Sequence, residues 1–133
     1  MKRSLLFYSF LLIVSLSSCN IYIDEPLYNL SGHYRVDEYS HHYDEYFRYS
    51  IYIDQPHING PDDVIFIENF YNADIVVEAY LNGSRINIPY QEIGPFDIQG
   101  SGYISDGNIH LDATIWEHVG YSTIRDDIEI DAY

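Results

Sequence analysis

Ile75-Val76-Val77-Glu78-Ala79-Tyr80-Leu81-Asn82-Gly83-Ser84-Arg85-Ile86-Asn87-Ile88-Pro89-Tyr90 decides the fold of this chain. Ile75, Val77, Ala79 and Leu81 alternate with the residues between them, and Ile86 and Ile88 resume the alternation after Asn82-Gly83. Side chains of a strand point to opposite faces in turn, so a period of two marks one buried and one open face. Asn-Gly favours positive φ at both central positions of a type I′ turn, so the stretch reads as a β-hairpin.

The same pattern extends both ways. His33 to Tyr39 suits a first strand. In a second, Phe47, Tyr49, Ile51 and Ile53 share one face, and Arg48, Ser50, Tyr52 and Asp54 share the other. A loop follows, Gln55-Pro56-His57-Ile58-Asn59-Gly60-Pro61-Asp62, and Val64-Ile65-Phe66-Ile67 opens a third strand running to Phe70. After the hairpin, Phe96, Ile98, Gly100, Gly102 and Ile104 form a strand whose glycines permit a bend or a close backbone approach. Asp106-Gly107 turns it into Ile109, Leu111, Ala113 and Ile115, and Ile124, Ile128 and Ile130 mark the last strand. No stretch keeps a helical period.

The reading is all-β: about eight antiparallel strands joined by short turns, in an up-and-down barrel. Closure removes the exposed edges that invite aggregation, and eight strands leave an interior that side chains fill or one small ligand occupies. A two-sheet β-sandwich is the alternative. The inward-reading residues Phe47, Tyr49, Ile51, Val77, Leu81, Ile98 and Leu111 are the candidate contacts for such a ligand.

The N-terminus is of another kind. Lys2-Arg3 precede an apolar run from Leu5 to Val14, about 15 Å as a helix and half the thickness of a bilayer's hydrocarbon. A basic start, a short apolar core and small residues form a secretory signal. Its last residues, Leu16-Ser17-Ser18-Cys19, resemble the bacterial lipobox. The resemblance implies cleavage before Cys19 and lipid on its thiol and new amine, palmitate-like chains included. One acyl chain binds marginally and two or three hold. Residues 1–18 are then the removed signal, 19–31 a lipidated tether, and 32–133 the barrel. Asn20 follows the Cys where an Asp would retain a lipoprotein at the inner membrane, so the outer membrane is expected, with its periplasmic and surface sides both open.

Removing 18 of 133 residues leaves 115, and with Lys2 and Arg3 gone four arginines face 21 acids, a balance of about −17. Lys is absent from that part. Nucleic acid needs Lys or Arg to displace phosphate counterions, and is not an expected partner. With the sole Cys lipidated no disulfide forms, so the fold rests on its core.

Gly32 to Val36, Asp63-Val64 to Asn69-Phe70, Ala79 to Gly83, Ile88-Pro89-Tyr90-Gln91 and Ile98-Gln99-Gly100-Ser101-Gly102 together resemble small Bacteroidetes lipoproteins with a lipocalin-like barrel. The resemblance spans most of residues 32–131. It implies the fold and the envelope compartment, and brings no catalytic residues.

No site chemistry stands out. His41-His42-Tyr43-Asp44-Glu45 packs metal-capable groups together, but zinc needs three or four converging ligands, and a polar turn accounts for the cluster. No metal is assigned. Asp62-Asp63 and Asp126-Asp127-Ile128-Glu129-Ile130-Asp131 raise calcium, yet the EF-hand order is missing, and alternate residues of a strand face solvent in any case. With 21 acids, some carboxylate pair will lie close by chance, so glycoside hydrolysis gains no support. No nucleophile elbow, phosphate loop or dinucleotide fingerprint occurs, and the chain reads as a non-enzyme. Tyr46, Tyr52, Tyr103 and Trp116 lie on the face opposite the core, where Tyr and Trp suit an interface. Three readings follow: a membrane-anchored module presenting an acidic, aromatic barrel to a protein partner, a carrier of a small apolar ligand, and a calcium-dependent interaction module.

Overall fold

A computed structural model describes residues 27–60 and 62–133, and its regular structure is all strand. The strands are β1 (Gly32–Ser40), β2 (Glu45–Asp54), β3 (Asp63–Phe70), β4 (Ile75–Asn82), β5 (Arg85–Ile93), β6 (Phe96–Ser105), β7 (Asn108–Val119) and β8 (Ser122–Ala132). Each pairs antiparallel with the next, and β8 returns to β1 to close a barrel. Val36 sits opposite Ala132 and Ser40 opposite Ile128 at that seam, and Arg35 and Tyr133 exchange backbone bonds of 2.9 and 3.0 Å. The sandwich does not form. Cys19, the signal residues Leu16, Ser17 and Ser18 and most of the proposed tether lie outside the described residues.

Parity along each strand builds the core. Ile51 and Ile53, Ile65 and Ile67, Val77, Ala79 and Leu81, Ile109, Leu111, Ala113 and Ile115, and Ile128 and Ile130 all point inward and join one buried cluster. Gly100 and Gly102 occupy inward positions of β6 because β7 presses there. A Cβ on Gly100 would stand 2.5 Å from the Asp112 carbonyl oxygen.

The turns differ from expectation in one place. The hairpin loop is Gly83-Ser84, with Asn82 paired to Arg85. Only Gly83 takes positive φ (57°), the arrangement of a type II′ turn, so the loop lies one residue later than Asn-Gly suggests. Asp106-Gly107 does form the expected turn with both φ positive, 52° and 81°.

An up-and-down barrel has two ends. At the entry end lie the incoming residues 27–31, the β2–β3 connection and the turns after β4 and β6. At the far end lie the turns His41–Asp44, Tyr71–Asp74, Gly94-Pro95 and Gly120-Tyr121. Within the segment 19–31 read as tether, the described residues 27–31 lie against the barrel: Leu30 is buried and Tyr28 packs on the core. Leu30 is apolar and its N–H has a partner inside the entry end, Gln55 Oε1 at 2.8 Å, so burying it leaves nothing unsatisfied.

The wall is uneven. β7 pairs with its neighbours along most of its length, from Ile109 to Val119 against β8. The β3–β4 hairpin pairs with β2 only where Tyr52–Asp54 meet Phe66–Glu68, and with β5 only where Tyr80–Asn82 meet Arg85–Asn87. The β4–β5 ladder lies at the entry end, whereas the β2–β3 ladder joins the entry end of β2 to a stretch past the middle of β3.

Candidate functional site

The far end of the interior is polar. On β1 the inward parity of Val36 continues to Glu38 and Ser40, and on β8 the inward parity of Ile130 and Ile128 continues to Asp126. Strand geometry therefore drives two carboxylates inside, and each is only 2% exposed. Asp126 accepts from the Ser40 hydroxyl at 2.6 Å, the Tyr71 hydroxyl at 2.8 Å and the His42 backbone N–H at 3.0 Å. Glu38 accepts from the Tyr49 hydroxyl on β2. Ser40 Oγ in turn accepts from the Tyr43 N–H at 3.2 Å, which fixes the β1–β2 turn.

Burying a carboxylate disfavours its charged form. Burial pushes Glu38 up to about 7; the Tyr49 hydrogen bond works against this and the charge of Asp126 works with it. Burial, with the charge of Glu38 next, raises the Tyr49 hydroxyl far above its ordinary value, and burial with the Asp126 hydrogen bond does the same for Tyr71. Both hydroxyls thus stay protonated and act as donors. Among the described residues no Lys, Arg or His side chain bonds to either carboxylate. Every buried side-chain N or O among them has a partner. The arrangement can hold a proton inside the barrel at neutral pH.

Of the residues read as interior, Ile51, Val77, Leu81, Ile98 and Leu111 are buried in the common cluster. Tyr49 is partly covered and belongs to the polar network. Phe47 is also partly covered, near the far rim, edge-on to Tyr43 with ring centres 6.2 Å apart. Tyr46, Tyr52, Tyr103 and Trp116 all point outward, but they do not meet. Tyr46 is 72% exposed near the far end of β2, while Tyr52 near its other end lies 4.8 Å from the His33 ring. Tyr103 stacks on His110 at 4.8 Å, on β6, four strands around the wall from β2; Trp116 stands on β7 opposite Arg125.

His41 to Asp44 form the β1–β2 turn and Glu45 opens β2. His41 pairs with Glu129 at 2.8 Å. Among the described residues no group of three or more His, Cys, Asp or Glu is placed to hold a metal ion. Asp63, one of the acids that raised calcium, is buried, and its carboxylate accepts from the Asn59 N–H at 2.9 and 3.1 Å. Asp127, Glu129 and Asp131 do face solvent, as their parity predicts, whereas Asp126 does not. On the outer wall Asp112 stands opposite Glu129, beside a shallow depression of about 540 Å³ that Asp127 and Tyr90 also line.

Of Glu38, Ser40, Tyr71 and Asp126, only Asp126 was named from sequence, and then as part of an acidic run raising calcium rather than as an interior group. The signal for three of them was parity: counting in twos from Val36 or Ile128 places them inside. Tyr71, in a turn, gave none. Comparison with protein-family models and with curated proteins finds no match for this chain.

Proposed function

We propose that this chain is a non-enzymatic lipoprotein of the bacterial envelope, anchored in the outer membrane through lipid on Cys19, whose acidic, tyrosine-rich barrel is an interaction module for a protein partner. The observation that carries the reading is the seat of the incoming chain. Leu30 enters the barrel at one end, and the exposed Tyr43, Tyr46 and Tyr121 stand at or beside the other. Lipid at Cys19 would hold the entry end toward the bilayer and leave the far end for a partner. Outward acids such as Asp112, Asp127, Glu129 and Asp131 favour a basic partner and disfavour anionic head groups.

The test has two arms. In a Gram-negative host, Cys19→Ala moves the protein from the membrane to the soluble fraction and removes the acyl mass from its N-terminal peptide; an unchanged fraction and mass reject the anchor. Cross-linking on intact cells then compares the native protein with a Tyr43→Ala/Tyr46→Ala/Tyr121→Ala variant. A discrete adduct lost in the variant supports the interaction module, and an identical adduct pattern rejects this face.

Carriage of a small ligand inside the barrel is the second reading. Tyr71 lying over the interior favours it, since a covered interior can be uncovered. Because Glu38 and Asp126 line that end, the ligand would carry a hydrogen-bond donor on an apolar body. Native mass spectrometry of protein from its host reads this directly as a retained small molecule.

A further inference from the structure

We propose that the β3–β4 hairpin is a hinged flap at the far end of the barrel, and that Tyr71 is the latch that holds it shut.

The hinge is in the ladders. Backbone pairing ties the hairpin to β5 only at Tyr80–Asn82, by the entry end, and to β2 only at Phe66–Glu68, two residues short of the far end of β3. Farther out, side chains take over. Asn69 Nδ2 donates to the Ser50 carbonyl at 2.8 Å. Gln91 Nε2 donates to the Glu78 carbonyl at 2.8 Å, and Gln91 Oε1 accepts from the Glu78 N–H at 3.0 Å. The cause lies in β5: its register against β6 shifts between Ile88 and Gln91, which bends the strand there, and Pro89 has no N–H to give β4. Two side-chain bridges hold what a continuous ladder holds elsewhere.

The tip is strained. Asn69, Tyr71, Asn72 and Asp74 have φ of 59°, 57°, 50° and 55°. Asn and Asp tolerate the left-handed region because their side chains bond locally, as Asn69 Oδ1 does with the Asp74 N–H at 3.1 Å. A Tyr has no such local compensation, and for a bulky residue this conformation is an outlier. What keeps Tyr71 there is its side chain. It reaches Asp126 on β8, and β8 lies four strands from β4 in the closed order, on the opposite wall. The ring meets Phe96 edge-on, centres 6.0 Å apart, and the Tyr71 backbone faces the Tyr49 hydroxyl. One residue thus bars the far end, bonds to one carboxylate and faces the partner of the other.

Those carboxylates control the latch. The titratable groups facing Glu38 are Tyr49 on β2, Asp126 on β8 and Tyr71 in the β3–β4 turn, with Tyr43 of the β1–β2 turn facing Tyr71. None is basic. While Glu38 keeps its proton, Asp126 alone carries charge and accepts the Tyr71 hydroxyl. Once Glu38 ionises, two like charges are enclosed beneath Tyr71, and parting the tip to admit water relieves them. The flap therefore opens as pH rises through neutrality, uncovering the interior beside Phe70.

Hydrogen exchange on the intact protein purified in detergent tests this, with rates corrected for the intrinsic effect of pH. Amides of residues 70–78 should exchange at least about 10-fold faster than those of Ile109–Ile115, and their opening should rise about 10-fold from pH 6 to pH 8. Tyr71→Phe should bring the tip to its pH 8 behaviour already at pH 6 while β7 and β8 keep their protection. Glu38→Gln should abolish the rise. If Tyr71→Phe exposes β7 as well, the native and Glu38→Gln proteins decide between them. Exchange of the tip at the rate of β7 at both pH values, or a rise that survives Glu38→Gln, overturns the proposal.

Discussion

The Leu30 N–H donates to Gln55 Oε1 at 2.8 Å, fastening the chain that enters the barrel to the chain that leaves β2. The same Gln55 donates through Nε2 to the Tyr28 carbonyl at 3.0 Å and to Asp63 at 3.3 Å. One buried amide thus serves the incoming segment, β2 and β3.

Gln55→Ala would strand these buried groups, and each unsatisfied one costs about 1–3 kcal/mol. We expect a loss of about 2–4 kcal/mol in urea unfolding and early proteolytic cutting near Leu27–Ser31. An unchanged midpoint with an intact N-terminal segment would contradict the assignment.

Glu38 makes stability depend on pH. Its carboxyl moves from 4.5 to about 7 on folding, so the folded state binds the proton more tightly. The stabilisation is whole below pH 4.5 and is lost as pH rises through about 7, on the order of 3 kcal/mol in all. Urea midpoints of the native protein should accordingly fall between pH 5 and pH 8 relative to those of Glu38→Gln. Parallel profiles for the two proteins would show that Glu38 does not titrate in this window.

Two glycines separate space from conformation. A Cβ on Gly102 would overlap the His110 carbonyl oxygen and lie 2.6 Å from Leu111 Cδ2, so Gly102→Ala should cost about 3 kcal/mol or prevent folding. Gly107 has open space around it but a φ of 81°, and Gly107→Ala should cost only about 1 kcal/mol. Thermal unfolding of the pair gives the comparison, and equal losses would refute it.

Gln91→Leu removes both bridges to Glu78 and leaves that backbone to water. We expect a global loss of about 1–2 kcal/mol, with faster amide exchange concentrated in Ile75–Ala79. Loss spread evenly over β7 and β8 would argue that the bridges do not act locally.

Most of the wall was legible because Ile, Val and Leu recur at every second position, and the pleat translates that spacing into inside and outside. The same rule also placed Glu38 and Asp126, but the general habit of carboxylates to seek water argued the other way. At these two positions hydroxyl and amide donors were available to satisfy them, and strand parity prevailed. Tyr71 lay beyond this logic. Its role arises from a turn whose left-handed residues and reach across the barrel depend on where β8 sits, which no local pattern encodes. Tyr46, Tyr52, Tyr103 and Trp116 were correctly turned outward, yet parity says nothing of which strands become neighbours around a closed wall.

Closure by β8 against β1 sets an order on folding. The strand completing both seams follows the other seven along the chain, and its pairing with β1 joins residues almost a hundred positions apart, such as Val36 with Ala132. Such distant contacts form slowly, since the chain between them must first be drawn in. A nascent chain from which β8 has yet to emerge has no finished barrel to collapse into. That delay leaves the wall open, and the interior face of every earlier strand uncovered, until β8 arrives.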